Sequence, residues 1–176
     1  MKLSNSTFFL FEGIANWSAN ASATLIHVTT IGGVRNSARM RVRNSLFVGA
    51  PELFDWDVPN DCFSSPGADF QYLGLITSTP DGYGSCPADS YADYAQVYQN
   101  LLYPRDEGDA AAYPKGTIEW ARALGEKGSH LRLRAGGLAI DASIGSCASH
   151  DQLARPRPVD GNGDGVANCD LGAYEY

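Results

Sequence analysis

Short runs of alternating apolar and polar residues, each followed by glycine, dominate the first fifty positions. Leu3-Ser4-Asn5-Ser6-Thr7-Phe8, Ile26-His27-Val28-Thr29-Thr30-Ile31 and Val42-Arg43-Asn44-Ser45-Leu46-Phe47 are three such runs, trailed by Gly13, Gly32-Gly33 and Gly49. Alternation rich in β-branched and aromatic residues predicts strands with one face turned inward. The runs recur at offsets of 23 and 16 residues. A period of that size suits a solenoid, in which each coil travels once around and stacks on the last. Asn5 and Asn44 hold the same place in their runs, as an internal ladder of stacked asparagines would require. Three unrelated strands of an antiparallel sandwich are the competing arrangement.

Farther along, the pattern breaks and changes. Pro51, Pro59, Pro66, Pro80 and Pro87 mark residues 51–90 as loop, interrupted by one strand over 70–76. Tyr91, Tyr94, Val97, Tyr98, Leu101 and Leu102 fall at helical spacing and predict a short amphipathic helix over 89–102. Its tyrosines are a packing face or, in the sharper reading, a platform of Tyr91, Tyr94 and Tyr98 on which sugars stack. Residues 105–115 read as a surface loop and 117–124 as a helical turn. Strand-like alternation returns over 130–142 through Leu131, Leu133, Leu138 and Ile140. The expected division is therefore β-coils over 1–50, a loop-rich excursion with a strand and short helices over 51–130, and a final coil with a terminal cap over 131–176.

Composition narrows the function classes. At 176 residues the chain fits one domain, and 44% hydrophobic with 19% charged residues is ordinary for a folded protein. A net charge of −7 argues against nucleic acid as a partner, because phosphate backbones demand clustered Lys and Arg. Arg39, Arg41 and Arg43 form the local basic group, and their alternation predicts one solvated face of a strand. No stretch approaches the roughly 20 apolar residues of a membrane span. Lys2 is followed by Leu3-Ser4-Asn5-Ser6 and not by the apolar run of a signal peptide. Export would then depend on sequence lying upstream of this chain.

Export is what the cysteines suggest. Cys62, Cys86, Cys147 and Cys169 sit in turn-rich stretches, without the close spacing of a zinc knuckle. Three pairings are possible and the sequential one, Cys62 with Cys86 and Cys147 with Cys169, is favoured. Four reduced, buried thiols are the alternative. Bridges would imply an oxidising compartment, and hence a secreted or cell-surface protein.

From Gly136 onward the sequence is more specific. Gly137-Leu138-Ala139-Ile140-Asp141-Ala142, Cys147, Asp151-Gln152, Arg157-Pro158-Val159-Asp160-Gly161 and Cys169-Asp170-Leu171-Gly172-Ala173-Tyr174-Glu175 follow in order. The series resembles the C-terminal signature of bacterial choice-of-anchor Q proteins. The resemblance covers about 40 residues strongly. It departs from the family at Leu138, where proline is usual, and at Leu153-Ala154, where Arg-Gly is usual. Arg155 stands two positions beyond the place of the missing arginine. The resemblance implies an all-β, right-handed parallel β-helix: a short solenoid with long loops, one or two short helices and a disulfide-pinned cap. Such a cap would cover the unpaired backbone of the last coil. Leu171, Ala173 and Tyr174 would bury it, with Asp141, Asp151 and Arg157 as a polar network holding its loops.

The cap also carries candidate cation chemistry. Asp160, Asn162, Asp164, Val166, Asn168 and Asp170 place oxygen ligands at alternate positions with glycine between several of them. Calcium gathers roughly six to eight oxygens, and a glycine-rich turn lets side chains and a carbonyl converge. The start matches the D-x-N-x-D-G loop of EF-hand and dockerin-like sites, but Leu171 stands where such a loop ends in a bidentate Glu. A solvated acidic turn is the bland alternative. Catalytic motifs are scarcer. His27, His130 and His150 are scattered, with His27 read as structural or surface-exposed, and Asp55, Asp57 and Asp61 as a solvated loop before an acidic cluster. The expectation is a non-catalytic exported or cell-surface protein, adhesive or structural, with surface glycan as a partner. A carbohydrate-active enzyme, lyase or glycosidase, is the alternative. A subunit self-associating through its open N-terminal coil is the third.

Overall fold

The computed structural model describes residues 1–9, 14–48, 62–78, 86–91, 102–104, 108–112, 123 and 131–176. Ten strands are defined within them: β1 (Lys2–Phe9), β2 (Ile14–Asn16), β3 (Ser22–Ile31), β4 (Val34–Asn36), β5 (Arg39–Val48), β6 (Cys62–Ser64), β7 (Asp69–Thr77), β8 (Ser90–Tyr91), β9 (Leu102–Pro104) and β10 (Leu131–Leu133). From β1 to β7 the chain visits two parallel sheets in alternation. The main sheet has the order β1-β3-β5-β7-β8 and the second β2-β4-β6. Each strand thus pairs with the next but one, so its partner is one circuit away along the chain.

Register shows which residues of each circuit correspond. Leu3 pairs with Leu25 and Leu25 with Val42, giving offsets of 22 and 17 residues where the sequence suggested 23 and 16. The middle run is slipped by one: Leu25, not Ile26, is the counterpart of Leu3. The slip matters because side chains alternate between faces, and a one-residue shift would turn every inward side chain outward.

The corrected register aligns Asn5, His27, Asn44 and Gly74 in one column. All four have positive φ, of 48°, 52°, 49° and 70°. Each long strand therefore bends at the same rung, and the bend switches which alternate positions face inward. Before it, Ala23, Leu25, Met40 and Val42 point in; after it, Val28 and Phe47 do. These residues join Ile14, Val34 and Cys62 of the second sheet in a core between the two sheets. Inside that core Asn16 donates to Asn36 at 3.0 Å, and Asn36 to Ser64 at 3.3 Å. This asparagine ladder lies in the second sheet, not at Asn5 and Asn44 as the repeat suggested.

A second core forms on the other side of the main sheet. Ile31, Leu46, Val48 and Ile76 turn outward after the bend and pack against Leu131, Leu133, Ala139, Ile140, Leu171 and Tyr174. The terminal segment 131–176 therefore lies across the outer face of the main sheet, where a cap over the end of the last coil was expected. The residues responsible are apolar outward positions that would otherwise face water. Each such side chain gains on the order of 1.5–3 kcal/mol by being covered.

Other expectations change as well. The ends of the proposed helix over 89–102 are strands, β8 and β9, while Tyr94 and Tyr98 lie outside the described residues. Within the expected loop at 105–115, Gly108–Ala112 forms a 3-10 turn. Over 130–142, β10 pairs antiparallel with β9 and adds no parallel coil. Beyond it the chain turns, with Leu138 59% exposed and the Ile140 N–H donating to Gly137. The strand foreseen at 70–76 is β7.

Candidate functional site

The densest polar cluster lies where the terminal segment crosses the column of bends. The Gly172 N–H donates to the Asn44 carbonyl at 2.8 Å, and the Ile144 N–H to Asn44 Oδ1 at 2.9 Å. Thr29 Oγ1 accepts from the Ala173 N–H at 3.0 Å. A Cβ on Gly172 would stand 2.5 Å from Thr29 Oγ1 and 2.9 Å from Leu46 Cδ1, and φ there is +88°. Only glycine lets the backbone come this close to the sheet.

Arg157 is the centre of the cluster. It is 7% exposed, and donates to Nδ1 of His27, to the Asp170 carbonyl at 3.4 Å and to the Gly172 carbonyl at 2.9 Å. Its Nε lies 3.2 Å from Glu175 Oε2, an ion pair whose angle falls short of a hydrogen bond. His27 accepts at Nδ1, which fixes it as the neutral tautomer with its proton on Nε2. Burial, aided by the Arg157 charge, lowers its pKa to about 4. Burial likewise raises Glu175 to about 7, with the Asp170 carboxylate adding to the effect. Asp170 is raised by burial and Arg157 lowered by it.

Every carboxylate oxygen of the three buried acids is occupied by backbone. Asp151 accepts from Leu153 and Arg155 on Oδ1 and from Glu175 on Oδ2. Asp170 accepts from Asp141 and Tyr176, and Glu175 from Val159 and Asp170. Asp141 reaches the other way, accepting from Gly161, Asn162 and Asn168. Of the expected network of Asp141, Asp151 and Arg157, Arg157 instead meets His27 and Glu175, Asp151 joins that cluster through the Glu175 N–H, and Asp141 through its own N–H to Asp170. Leu171, Ala173 and Tyr174 are buried at 3%, 0% and 5%. Arg155 stacks on the Tyr174 ring, 4.9 Å from its centroid.

The candidate cation loop separates into two parts. Asp160 accepts from the N–H of Gly163 and Gly165, Asn162 from Asp164, and Asp164 from Val166. These residues form an exposed turn curled by its own side chains, with Val166 57% exposed. Asp170 is buried with Arg157 and Glu175, so it does not share that turn. The Asn168 N–H is held by Asp141 Oδ1. Among the described residues no three His, Cys, Asp or Glu side chains gather as a metal group. Of the six expected ligands, Asp160, Asn162, Asp164 and Val166 therefore share the turn, and Asp170 does not.

Both disulfides are present in the sequential pairing, Cys62–Cys86 and Cys147–Cys169. They are the chemistry of an oxidising environment. Of the proposed stacking tyrosines, Tyr91 is half-buried on β8; Asp55, Asp57, Asp61 and His130 lie outside the described residues. His150 is exposed, 2.9 Å from Ser149 Oγ. No described helix is long and apolar enough to cross a membrane. Comparison of the chain with protein-family models, curated proteins and solved structures returned no match.

Proposed function

We propose that the chain is a stretch of right-handed parallel β-helix from an exported or cell-surface protein of the choice-of-anchor Q kind, serving a non-catalytic, adhesive or structural role. One observation carries this reading. The buried ionisable cluster, where an enzyme would hold its acid and base, spends all six oxygens of Asp151, Asp170 and Glu175 on backbone N–H groups. A carboxylate held by backbone at both oxygens is oriented by the loop it fastens, which is a structural use of the charge. Two disulfides support the exported setting. Incubation with acidic and neutral polysaccharides should release neither new reducing ends nor unsaturated products. Turnover that disappears in a Glu175→Gln variant would overturn the non-catalytic reading.

The turn at 160–166 is proposed to bind calcium through Asp160, Asn162, Asp164 and the carbonyl of Val166. Support comes from oxygens at alternate positions of an exposed, tightly curled loop anchored by Asp141. Calcium would add rigidity and no chemistry. Millimolar calcium should raise Tm relative to EGTA; an unchanged Tm would count against this site.

A further inference from the structure

We infer that the outer face of the main sheet before the bend is a docking surface for a carboxylated polysaccharide, gripped by Arg41 and Arg43. On β5 the inward positions are Met40 and Val42, so Arg39, Arg41 and Arg43 point out on the opposite face. Arg39 is already engaged, 3.0 Å from Asp69, which also accepts from Gln71. Arg41 and Arg43 have no ion-pair partner among the described residues, and neither does Lys2. Three uncompensated cations thus share one face of a chain whose net charge is −7.

Register arranges these groups in rows. Lys2, Thr24, Arg41 and Gln71 form one rung across four strands. Ser4 and Ile26 stand in the next rung with Arg43. Rungs repeat about 6.7 Å apart along a strand, and strands about 4.8 Å apart across the sheet. The result is exposed Arg41 with Lys2, a hydroxyl and an amide in one rung, and half-buried Arg43, beside Gly145 of the terminal segment, with Ser4, Ile26 and Leu73 in the next. A fork binds a carboxylate through two parallel hydrogen bonds, and neighbouring Ser4, Thr24 and Gln71 suit the hydroxyls of a sugar ring. A linear polyuronate repeats both groups along an extended chain. Duplex DNA suits the face less well, since a few cations neutralise few phosphates against an acidic molecule. An acidic peptide would lack the regular hydroxyls.

The inference shares the exported setting proposed above and is independent of the calcium turn. Its test is affinity electrophoresis of the whole chain in gels containing polygalacturonate, a neutral β-glucan, polyglutamate or duplex DNA. The expected result is retardation by polygalacturonate alone, weakening with added salt. Arg41→Gln with Arg43→Gln should reduce that affinity by about tenfold or more, while Arg35→Gln on the second sheet should leave it intact. Circular dichroism checks that the double variant folds. If it does not, the single exposed Arg41→Gln variant serves, with a smaller loss expected. No retardation by polygalacturonate, equal retardation by polyglutamate or DNA, or unaltered binding in the folded variants would overturn it. A turnover assay on the same polymer separates failure here from failure of the non-catalytic reading.

Discussion

At the scale of single residues, the positive-φ column decides how the terminal segment docks. Asn5, His27, Asn44 and Gly74 occupy one rung, and three of them meet the segment: His27 through Arg157, Asn44 through Gly172 and Ile144, and Gly74 beside Leu171. Asparagine tolerates the left-handed region and glycine prefers it, whereas histidine there is unusual. Gly172 is the matching requirement on the other partner. Gly172→Ala should cost about 2–4 kcal/mol, combining left-handed strain with collision against Thr29 and Leu46. Chemical denaturation would measure it, and a loss below about 0.5 kcal/mol would show that the contact yields freely. The asparagine at 44 was legible as part of a repeat. Its role was not, because the partner is 100 residues away in sequence. The Asn16–Asn36 pair was likewise missed, since Ile14-Ala15-Asn16 and Val34-Arg35-Asn36 are too short to register as strands on alternation alone.

At the scale of elements, the interaction that joins strand to segment is a buried set of charges with opposed pH dependences. Unfolded Glu175 titrates near 4.5 and folded Glu175 near 7. Folding therefore retains a proton in that window, and this contribution to stability declines as pH rises through it. Asp170, also raised by burial, acts in the same direction. His27 acts in reverse. Its unfolded imidazole takes a proton below 6.5, whereas the folded one resists until about 4, so stability falls as pH falls through that range. Between pH 4.5 and 6.5 the slopes oppose each other. Tm should vary little there in the native chain. Glu175→Gln should weaken the opposing slope, so that Tm drops more steeply on acidification. His27→Asn should leave the acidic slope, so that Tm drops toward pH 7. Indistinguishable profiles in all three proteins would refute the coupling. Removing the cation is a separate matter: Arg157→Met should cost about 3–5 kcal/mol by stranding a buried carboxylate, and adding Glu175→Gln should recover part of it in a double-mutant cycle.

For the whole molecule, β1, β3, β5, β7 and both disulfides were legible because alternation and loop-closing cysteines are local or pairwise signals. The outer-face docking of residues 131–176 was not, because the signature at 169–175 describes which residues are apolar without stating which surface they cover. The outward apolar positions Ile31, Leu46 and Val48 were the available hint: a strand buried on both faces reads as nearly continuous hydrophobicity. The fold consequently has two cores sharing one sheet, with Cys62 and Cys86 in the inner core and Cys169 buried in the segment that covers the outer one. This division makes an unequal response to bond removal the expected result. Replacing Cys147 and Cys169 by serine removes a closure of 22 residues in sequence separation, worth about 3 kcal/mol. Protection of the Gly172 and Ala173 amides against hydrogen exchange should fall first, while the amides that pair β3 with β5 within the main sheet keep theirs. Replacing Cys62 and Cys86 should lower protection in both layers, because the outer core needs the main sheet formed and the sheet does not need the outer core. Equal loss in both layers from the first variant would mean that the molecule unfolds as one unit and that the terminal segment is integral to the sheet it covers.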